Sequence, residues 1–341
     1  MRILYVAHKY DYGHPERGPS FEHYNFYESL HALGHDIDYF DLGSMLHTHG
    51  RDAMNEMLVE RVRRTSPDFL FCCLTEDELD PDVVSSVTSE TDTVTFNWFC
   101  DDHWRFEDFT SRWAPCFSYA STTALSALPK YAAIGYNNVI KTQWAAADSL
   151  YHPRGRPLAH DVTFVGQVYG DRPAMIQALR TAGLDVQTWG TGWNVRSWHK
   201  AVSRLPVIGP AAGRRWRDRV AASSRSSQDD MLAIFEQSRV SIDLVASSHG
   251  AEPQIKGRTF EVPACGGFLL DGRAQGIEEY FELGKELVTY DDLDDLIEKA
   301  RYFLRHESER EAIRAAGTRR TLAEHTYRDR FRVIFDRIGI S

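Results

Sequence analysis

The chain has 341 residues, of which 43% are hydrophobic and 26% charged, and its formal net charge at pH 7 is −10. That length is typical of two domains, and the composition excludes an intrinsically disordered, collagen-like or coiled-coil protein. The negative charge argues against nucleic-acid binding over the whole surface. No run approaches the roughly 20 apolar residues that cross a bilayer as a helix. We expect no secretory leader, and five cysteines without metal-binding spacing favour the reducing cytoplasm.

The first half of the chain alternates short apolar runs with helical patterns. A buried strand is predicted at residues 2–7, and a helix is predicted from Ser20, a good N-cap, to Gly34. Strands separated by helices of this length indicate βαβ units and a parallel sheet. The further predicted strands are 37–42, 69–74, 94–99 and 139–142.

The pattern restarts after residues 151–160, a stretch rich in proline and arginine that is typical of a linker. We therefore predict an α/β protein with two domains, residues 1–153 and 159–325, and a last helix within 326–341 that crosses back to the first domain. In the second domain the predicted strands are 162–165, 186–189, 240–245, 268–270 and 287–290, and the predicted helices are 172–182, 277–283 and most of the chain from Leu293.

A strongly basic segment interrupts the second domain. Residues 194–227 contain eight basic side chains and one acidic one, so the segment carries a net charge of +7 in an acidic protein. Contact of residues 195–225 with an anionic acceptor, a nucleotide or a membrane surface is one interpretation, and a solvated loop is the other. Prolines and glycines within the segment argue against one continuous amphipathic helix.

Residues 256–271 are the most informative stretch for chemistry. They predict a loop, a short helix from Arg258 to Ala264, a Gly-Gly break and a buried strand. The loop offers backbone N–H groups, and Lys256 and Arg258 add two cations, a combination that suits a diphosphate. Glu261 lies one turn further along, where a carboxylate can accept hydrogen bonds from the hydroxyls of a ribose.

This segment resembles the C-terminal half of the GT-B glycosyltransferases, specifically the branch similar to the spore-maturation protein CgeB. The resemblance extends over nearly the whole second domain but rests on little in the first. The residues that carry it are 258–261 (RTFE), 264–267 (ACGG), 278–281 (EEYF), 300–304 (ARYFL), 309–312 (EREA), 316–317 (AG), 324–330 (EHTYRDR), 164–172 (FVGQVYGDR), 189–193 (WGTGW) and 96–104 (FNWFCDDHW).

The resemblance implies two Rossmann-like, doubly wound domains that face a central cleft. It also implies a nucleotide-diphosphate sugar bound mainly to the C-terminal domain, an acceptor on the N-terminal side and no obligatory metal or other cofactor. Glu261 would then hold the ribose, and Lys256, Arg258 and Arg172 would neutralise the diphosphate. The sequence departs from the family in one respect: Glu252 and Glu261 are separated by eight residues rather than seven, which leaves the stereochemistry of transfer open.

Asp102 and His103 follow the predicted strand 94–99, at a carboxyl end where site residues gather. Either side chain could remove the proton of the acceptor hydroxyl or brace the sugar, so both are candidate catalytic residues. For Asp102 the alternative is an N-cap of the following helix. The adjacent pair Asp101-Asp102 lacks the Asp-x-Asp spacing of a metal-dependent glycosyltransferase.

The loop at residues 9–20 is longer than the usual connection between a strand and a helix, which hints at function. Gly18 and the start of the helix at Ser20 are candidates to face the donor phosphates, and a solvated loop is the alternative. The loop lacks a GxGxxG fingerprint, so a nicotinamide-dependent oxidoreductase is disfavoured. None of the histidine pairs has a third ligand at metal spacing, and we predict no metal site.

The resemblance, together with these residues, therefore predicts a metal-independent glycosyltransferase that uses a nucleotide-diphosphate sugar and an unidentified acceptor, which could be a glycan, a small molecule or a protein. Two alternatives stay open. One is a nucleotide-sugar epimerase or hydrolase on the same fold, and the other is a catalytically silent protein that binds a carbohydrate or a partner. The donor base and sugar, the acceptor and the oligomeric state are not specified by the sequence.

Overall fold

A computed structural model describes residues 1–202, 210–223, 225–245 and 253–340. The chain divides into two compact units. Unit 1 comprises Met1–Leu150 and Ala323–Ser341, and unit 2 comprises Tyr151–Leu322. The boundary near residue 150 lies at the start of the stretch that the sequence predicts as a linker.

Unit 1 is built on a parallel sheet with the strand order β2-β1-β3-β4-β5-β6. The five strands predicted in this half are confirmed to within two residues at either end. The sequence did not predict β5. The strands are β1 (Arg2–Ala7), β2 (Asp36–Asp41), β3 (Phe69–Cys72), β4 (Val94–Phe99), β5 (Tyr119–Thr122) and β6 (Val139–Lys141).

Unit 2 is built on a second parallel sheet, whose described strands have the order β11-β10-β9-β7-β8. Each strand predicted in this half is present, although its ends shift by up to three residues. The strands are β7 (His160–Val165), β8 (Val186–Trp189), β9 (Ser238–Ile242), β10 (Leu269–Gly272) and β11 (Val288–Tyr290).

Helices connect the strands on both faces of the sheets. No helix in the described ranges is long and apolar enough to span a bilayer. The helices are α1 (Glu28–Ala32), α2 (Leu42–His49), α3 (Arg51–Thr65), α4 (Pro81–Glu90), α5 (Asp102–Arg105), α6 (Ser111–Trp113), α7 (Leu128–Ala133), α8 (Arg172–Thr181), α9 (Ser197–Val202), α10 (Pro210–Ala222), α11 (Gln228–Gln237), α12 (Arg258–Ala264), α13 (Leu293–Arg305), α14 (Glu307–Glu324) and α15 (Tyr327–Ile338).

Local chemistry explains where the first helical stretch begins. The Ser20 hydroxyl accepts a 3.1 Å hydrogen bond from the backbone N–H of His23 and donates one of 2.6 Å to the carbonyl of His8. The chain then runs through a π-helical segment, His23–Tyr27, into α1. The predicted start at Ser20 is thus confirmed. Its capping hydroxyl accepts a hydrogen bond from an N–H group that has no partner within the helix.

The predicted helix at 277–283 is wrong. Only the 3₁₀ turn Ile277–Glu279 forms there. Ile277 and Phe281 are buried, and Leu283 forms a β-bridge with Leu287. The chain therefore leaves the helical conformation to reach β11, although its apolar spacing fits a helix.

The last helix packs on the sheet of unit 1. The ring of Phe331 lies 5.7 Å from that of Phe71 and 6.0 Å from that of Phe26, measured between centroids. Arg328 forms an ion pair with Asp148 at the end of the first segment of this unit. These contacts explain why Ala323–Ser341 clusters with unit 1.

Each sheet reverses its strand order at one point. In unit 1 the first strand, β1, lies between β2 and β3, and in unit 2 β7 lies between β8 and β9. In doubly wound sheets a ligand crevice forms beyond the carboxyl ends of the strands that flank such a reversal. A ligand crevice is therefore expected beyond the ends of β1 and β3 in unit 1 and beyond the ends of β7 and β9 in unit 2.

Candidate functional site

The carboxyl ends of β7 and β9 bring together the three cations that the sequence predicts for a diphosphate. The backbone carbonyl of Leu244, just beyond β9, accepts hydrogen bonds from Arg172 Nη2 at 2.9 Å and from Lys256 Nζ at 3.3 Å. Arg258 Nε donates a 3.3 Å hydrogen bond to the carbonyl of Val165 at the end of β7. Residues that are far apart in the sequence thus meet at the strand reversal of unit 2.

Tyr169 organises two of these cations. The guanidinium carbon of Arg172 lies 3.7 Å from the centroid of the Tyr169 ring, and Lys256 Nζ donates a 3.0 Å hydrogen bond to the Tyr169 hydroxyl. The aromatic face stabilises the guanidinium through a cation–π interaction. Tyr169 was not among the predicted site residues, although it lies within the stretch 164–172 that carries the resemblance.

The three cations differ in how far they reach solvent. Arg172 is only 4% exposed, and a further 3.0 Å hydrogen bond commits its Nη1 to the carbonyl of Gln167. Burial lowers the pKa of Arg172. Lys256 and Arg258 are partly exposed. They are therefore the cations better placed to meet an anionic ligand, while Arg172 holds the loops together.

Glu261 lies one turn along α12, where the sequence predicts it, and is fully buried. One carboxylate oxygen forms an ion pair with Arg258, and the other accepts a 3.1 Å hydrogen bond from the hydroxyl of Tyr151. Gln228 Nε2 in turn donates a 3.1 Å hydrogen bond to that hydroxyl. Burial opposes the charge of Arg258, but the Glu261 carboxylate outweighs it and raises the pKa of the guanidinium. Because Glu261 is fully buried, a ligand hydroxyl can reach its carboxylate only if a neighbouring group such as the Tyr151 side chain moves aside.

Two buried carboxyl groups lie behind this cluster. Asp271 accepts a 2.6 Å hydrogen bond from the Thr259 hydroxyl, and burial together with the charge of Asp243 raises the pKa of Asp271 well above its usual range. Among the described residues, Asp243 Oδ2 and Asp271 Oδ1 have no hydrogen-bond partner. The described ranges contain no group of three histidine, cysteine, aspartate or glutamate side chains placed to hold a metal ion.

Two glycines pack closely where the motif 164–172 meets the motif 189–193, beside this cluster. Gly190 follows β8 with a φ of +126°, and a Cβ added there would lie 2.1 Å from the carbonyl oxygen of Gly166. That same oxygen accepts a 2.7 Å hydrogen bond from the indole of Trp193. A side chain at Gly190 would therefore push apart the ends of β7 and β8 next to Arg172.

In unit 1 the structure places Asp102 as the first residue of α5, where it is 1% exposed. Its carboxylate accepts hydrogen bonds from the Thr110 hydroxyl at 2.6 Å and from the Tyr131 hydroxyl at 2.8 Å, and burial raises its pKa. The N-cap position belongs to Asp101, whose side chain makes no capping hydrogen bond. The capping alternative for Asp102 is therefore wrong, and its contacts tie three helical segments together. A role in transfer stays a prediction.

His103 is partly exposed, and its Nδ1 has no hydrogen-bond partner among the described residues. Burial and the nearby Lys141 lower the pKa of the His103 imidazole to about 4. The ring is thus neutral near pH 7 and able to accept a proton. Its catalytic role also stays a prediction.

Gly18 lies in the first loop of unit 1 with a φ of +81°. Its N–H donates to the carbonyl of Pro15, and its carbonyl accepts from the N–H of Asp11, so it closes a compact turn. The other four candidate donor-binding residues lie in unit 2. Contact of Gly18 with the donor phosphates stays a prediction. Glu252 lies outside the described residues.

An ion pair that was not predicted from the sequence lies at the strand reversal of unit 1. His8 directly follows β1, and its Nε2 lies 3.3 Å from Glu78 Oε1. Glu78 also accepts hydrogen bonds from the Thr75 hydroxyl at 2.8 Å and from the Glu76 N–H at 2.9 Å. Burial opposes the charge of His8, but Glu78 outweighs it and raises the His8 pKa. The position of His8 at the end of the first strand is the signal that could have identified it.

One part of the chain matches a known protein family. Residues 172–336 match the model of a family described as glycosyl transferase-like, so this part of the chain is similar to that family. Among curated proteins, no significant match to the chain is found.

Solved structures that share the architecture span the full chain. Sucrose-phosphate synthase of Thermosynechococcus elongatus superposes with a TM-score of 0.63 at 10% identity, covering 99% of both chains. The Anabaena protein HepE, in complex with UDP and glucose, superposes with a TM-score of 0.62 at 11% identity, covering 98% of both chains. A putative UDP-N-acetylglucosamine 2-epimerase of Listeria monocytogenes gives 0.55 at 10% identity, covering 97% of this chain and 93% of the other. At such identities these similarities establish the GT-B fold of two Rossmann-like domains and do not by themselves assign an activity.

Proposed function

We propose that this chain, a GT-B protein with a glycosyl transferase-like domain, transfers a sugar from a nucleotide-diphosphate sugar to a nucleophile on an acceptor. One observation carries the proposal most: Lys256, Arg258 and Glu261 converge at the strand reversal of unit 2. Such a reversal is where doubly wound sheets bind nucleotides. The UDP-bound state of the structurally similar HepE also supports it.

In this proposal the cations act on the leaving group. The acceptor oxygen forms a bond to the anomeric carbon while the bond from that carbon to the diphosphate oxygen breaks. Negative charge grows on the departing nucleoside diphosphate, and Lys256 and Arg258 stabilise it without a metal ion. Glu261 holds the ribose hydroxyls once they replace the Tyr151 contact. Transfer should therefore persist in the presence of EDTA.

Unit 1 supplies the proposed groups for the acceptor. His103, kept neutral by its lowered pKa, accepts the proton that the acceptor hydroxyl loses, although a pKa near 4 makes it a weaker base than an ordinary histidine. Asp102 is a positioning residue, because it fixes the start of α5 through Thr110 and Tyr131. His103→Gln should slow transfer while leaving the affinity for the donor unchanged.

The first test is thermal unfolding with a panel of nucleoside diphosphates and no added metal. A ligand at about 100 times its Kd stabilises the folded protein by ~2.7 kcal/mol, which raises the melting temperature by several degrees. Lys256→Gln should reduce that shift. Lys299→Gln is the matched control, since Lys299 is also a partly exposed lysine of unit 2 that donates to a backbone carbonyl. No shift with any nucleotide would contradict the proposal and favour a protein that binds a carbohydrate or a partner.

A second candidate keeps the nucleotide site but changes the reaction. The fold similarity to a putative UDP-N-acetylglucosamine 2-epimerase motivates it. An epimerase or hydrolase would convert the nucleotide sugar with no acceptor present. A transferase would release nucleoside diphosphate at a substantial rate only when an acceptor is added, so assays with and without acceptors separate the two.

A further inference from the structure

Where the structure describes it, the basic segment of unit 2 forms two helices that combine arginines with an exposed tryptophan. The described part consists of α9 (Ser197–Val202) and α10 (Pro210–Ala222). The prolines and glycines argue against one continuous amphipathic helix over residues 194–227, and in the described residues the helical structure is indeed divided between α9 and α10. However, Pro210 is the first residue of α10, a position that tolerates proline, and Gly213 is buried on the inner side of the helix. Helix α10 therefore runs without a break over 13 residues.

The outer face of α10 is cationic. Arg214, Arg215 and Arg219 are exposed, and Arg215 and Arg219 are one helical turn apart and so lie on the same face. Arg196, just before α9, is exposed as well. The segment 194–227 carries a net charge of +7 in a chain whose total is −10, so this face stands out against a negative remainder.

Trp198 projects from α9 at the same surface, with 55% of its area exposed. Its ring packs on that of His199 at a centroid distance of 3.6 Å and lies 6.1 Å from that of Trp216. The Nδ1 of the buried His199 accepts a 2.9 Å hydrogen bond from the backbone N–H of Arg196. A large aromatic ring is thus held at the surface by its neighbours.

We propose that this basic–aromatic face, formed by Arg196, Trp198, Arg214, Arg215 and Arg219, docks on an anionic lipid bilayer. Guanidinium groups bind lipid phosphates, and an indole ring favours the boundary between headgroups and acyl chains. A duplex nucleic acid would use the arginines, but its bases are stacked inside the helix and offer no apolar layer for the tryptophan. The negative charge of the remaining chain favours an orientation in which only this face meets the membrane.

The face is also anchored to the elements beside the candidate donor site. The N–H of Gly192 donates to the carbonyl of Ala221 at 2.9 Å, and Asn194 Nδ2 donates to the Ser223 hydroxyl at 3.1 Å. The adjoining Trp193 donates to Gly166 at the end of β7. Docking would therefore hold unit 2 in a fixed orientation to the lipid surface, which suits an acceptor carried by the membrane. The docking itself does not depend on the proposed activity.

The test is co-sedimentation of the full chain with vesicles of phosphatidylcholine containing phosphatidylserine, compared with phosphatidylcholine alone. We expect binding to the anionic vesicles only. Because each arginine near such a surface contributes about fivefold in affinity, the triple variant R214Q/R215Q/R219Q should bind about 100-fold more weakly. The control triple R64Q/R319Q/R337Q removes the same charge from exposed positions elsewhere and should bind within about twofold of the wild type.

Trp198→Ser separates a bilayer from a polyanion in solution. It should weaken binding to anionic vesicles and leave binding to duplex DNA unchanged. Equal binding of the wild type to both vesicle compositions, equal losses in the two triple variants, or full vesicle binding by Trp198→Ser would each overturn the proposal.

The melting-temperature shift that nucleoside diphosphate causes in R214Q/R215Q/R219Q should match that of the wild type, so a failed docking test is distinguishable from a failed donor site. Arg215→Gln alone, which should bind about fivefold more weakly, repeats the test with a smaller perturbation.

Discussion

The hydroxyl of Tyr151 donates a 3.1 Å hydrogen bond to the buried carboxylate of Glu261, across 110 residues of chain. Burial and the Glu261 charge raise the pKa of Tyr151 well above its usual range, so the phenol stays protonated and remains a donor. The first residue of unit 2 therefore covers the carboxylate that the resemblance assigns to the ribose of the donor. Binding of a nucleotide at Glu261 would exchange this internal contact for an external one.

Replacing Glu261 should cost stability as well as affinity. Glu261→Gln removes the charge from a buried ion pair with Arg258, and we expect the free energy of unfolding to fall by about 2–3 kcal/mol, because a cation that is only partly exposed loses its counter-charge. Glu278→Gln is the control, since its ion pair with Arg273 is about half exposed and should contribute less than ~1 kcal/mol. Urea denaturation of both variants checks this. Equal losses would mean that the Glu261 pair is no more important to the fold than a surface pair.

Tyr151→Phe tests the contribution of the Tyr151 hydroxyl separately from that of the Glu261 carboxylate. The variant leaves Glu261 charged but removes one hydrogen bond to it, and it leaves Gln228 without its acceptor, so we expect a loss of about 1–2 kcal/mol in unfolding free energy. The affinity for a nucleoside diphosphate should be at least as high as in the wild type, since a carboxylate oxygen becomes available. Calorimetric titration measures that affinity. A loss of nucleotide affinity as large as that of Glu261→Gln would instead place Tyr151 among the groups that hold the nucleotide.

The ion pair between His8 and Glu78 should make stability depend on pH. Glu78 raises the pKa of His8, so this contribution is present below the ordinary histidine pKa and is lost as the pH rises through the raised value. The pKa of Glu78 is lowered by its hydrogen bonds to His8 and Thr75, which outweigh burial, so that contribution is lost as the pH falls through the lowered value. His8→Gln should therefore destabilise the protein more at about pH 6 than at about pH 8. Denaturant midpoints at the two pH values measure the difference, and a pH-independent effect of the substitution would exclude a charged pair.

Local patterns predicted the elements that local chemistry determines. The apolar run of β1, the serine that caps the first helical stretch and the helix Arg258–Ala264 all follow from neighbouring residues, and each is confirmed. The strand β5 was not predicted because it includes Ser121 and Thr122, and small polar side chains such as these are typical of the protein surface. Both are fully buried between β4 and β6.

The candidate site divides in the same way. The motif at residues 256–261 is contiguous, so its chemistry could be proposed from spacing alone. The contacts of Tyr151 with Glu261, of Tyr169 with Lys256 and of His8 with Glu78 join segments that are 70 or more residues apart. The sheet topology creates these contacts, and a single sequence carries no periodic signal for them.

Substitutions around Asp102 test whether this buried carboxylate acts by position. Asp102→Asn keeps the size of the side chain but presents only one good acceptor to the two hydroxyls of Thr110 and Tyr131, so about 1–2 kcal/mol of stability should be lost. The affinity for nucleoside diphosphate should not change, because the proposed donor residues belong to unit 2. If Asp102 positions His103, then Tyr131→Phe should also slow transfer, in the same direction but by less.

Transfer is measured as nucleoside diphosphate released in the presence of an acceptor, at a temperature well below the melting point of each variant. Tyr136→Phe, which removes a hydroxyl bonded to a backbone carbonyl in the same unit, is the control for a general loss of stability. Normal transfer by Asp102→Asn would assign the carboxylate to folding alone, because the hydroxyls it holds would then be irrelevant to the reaction.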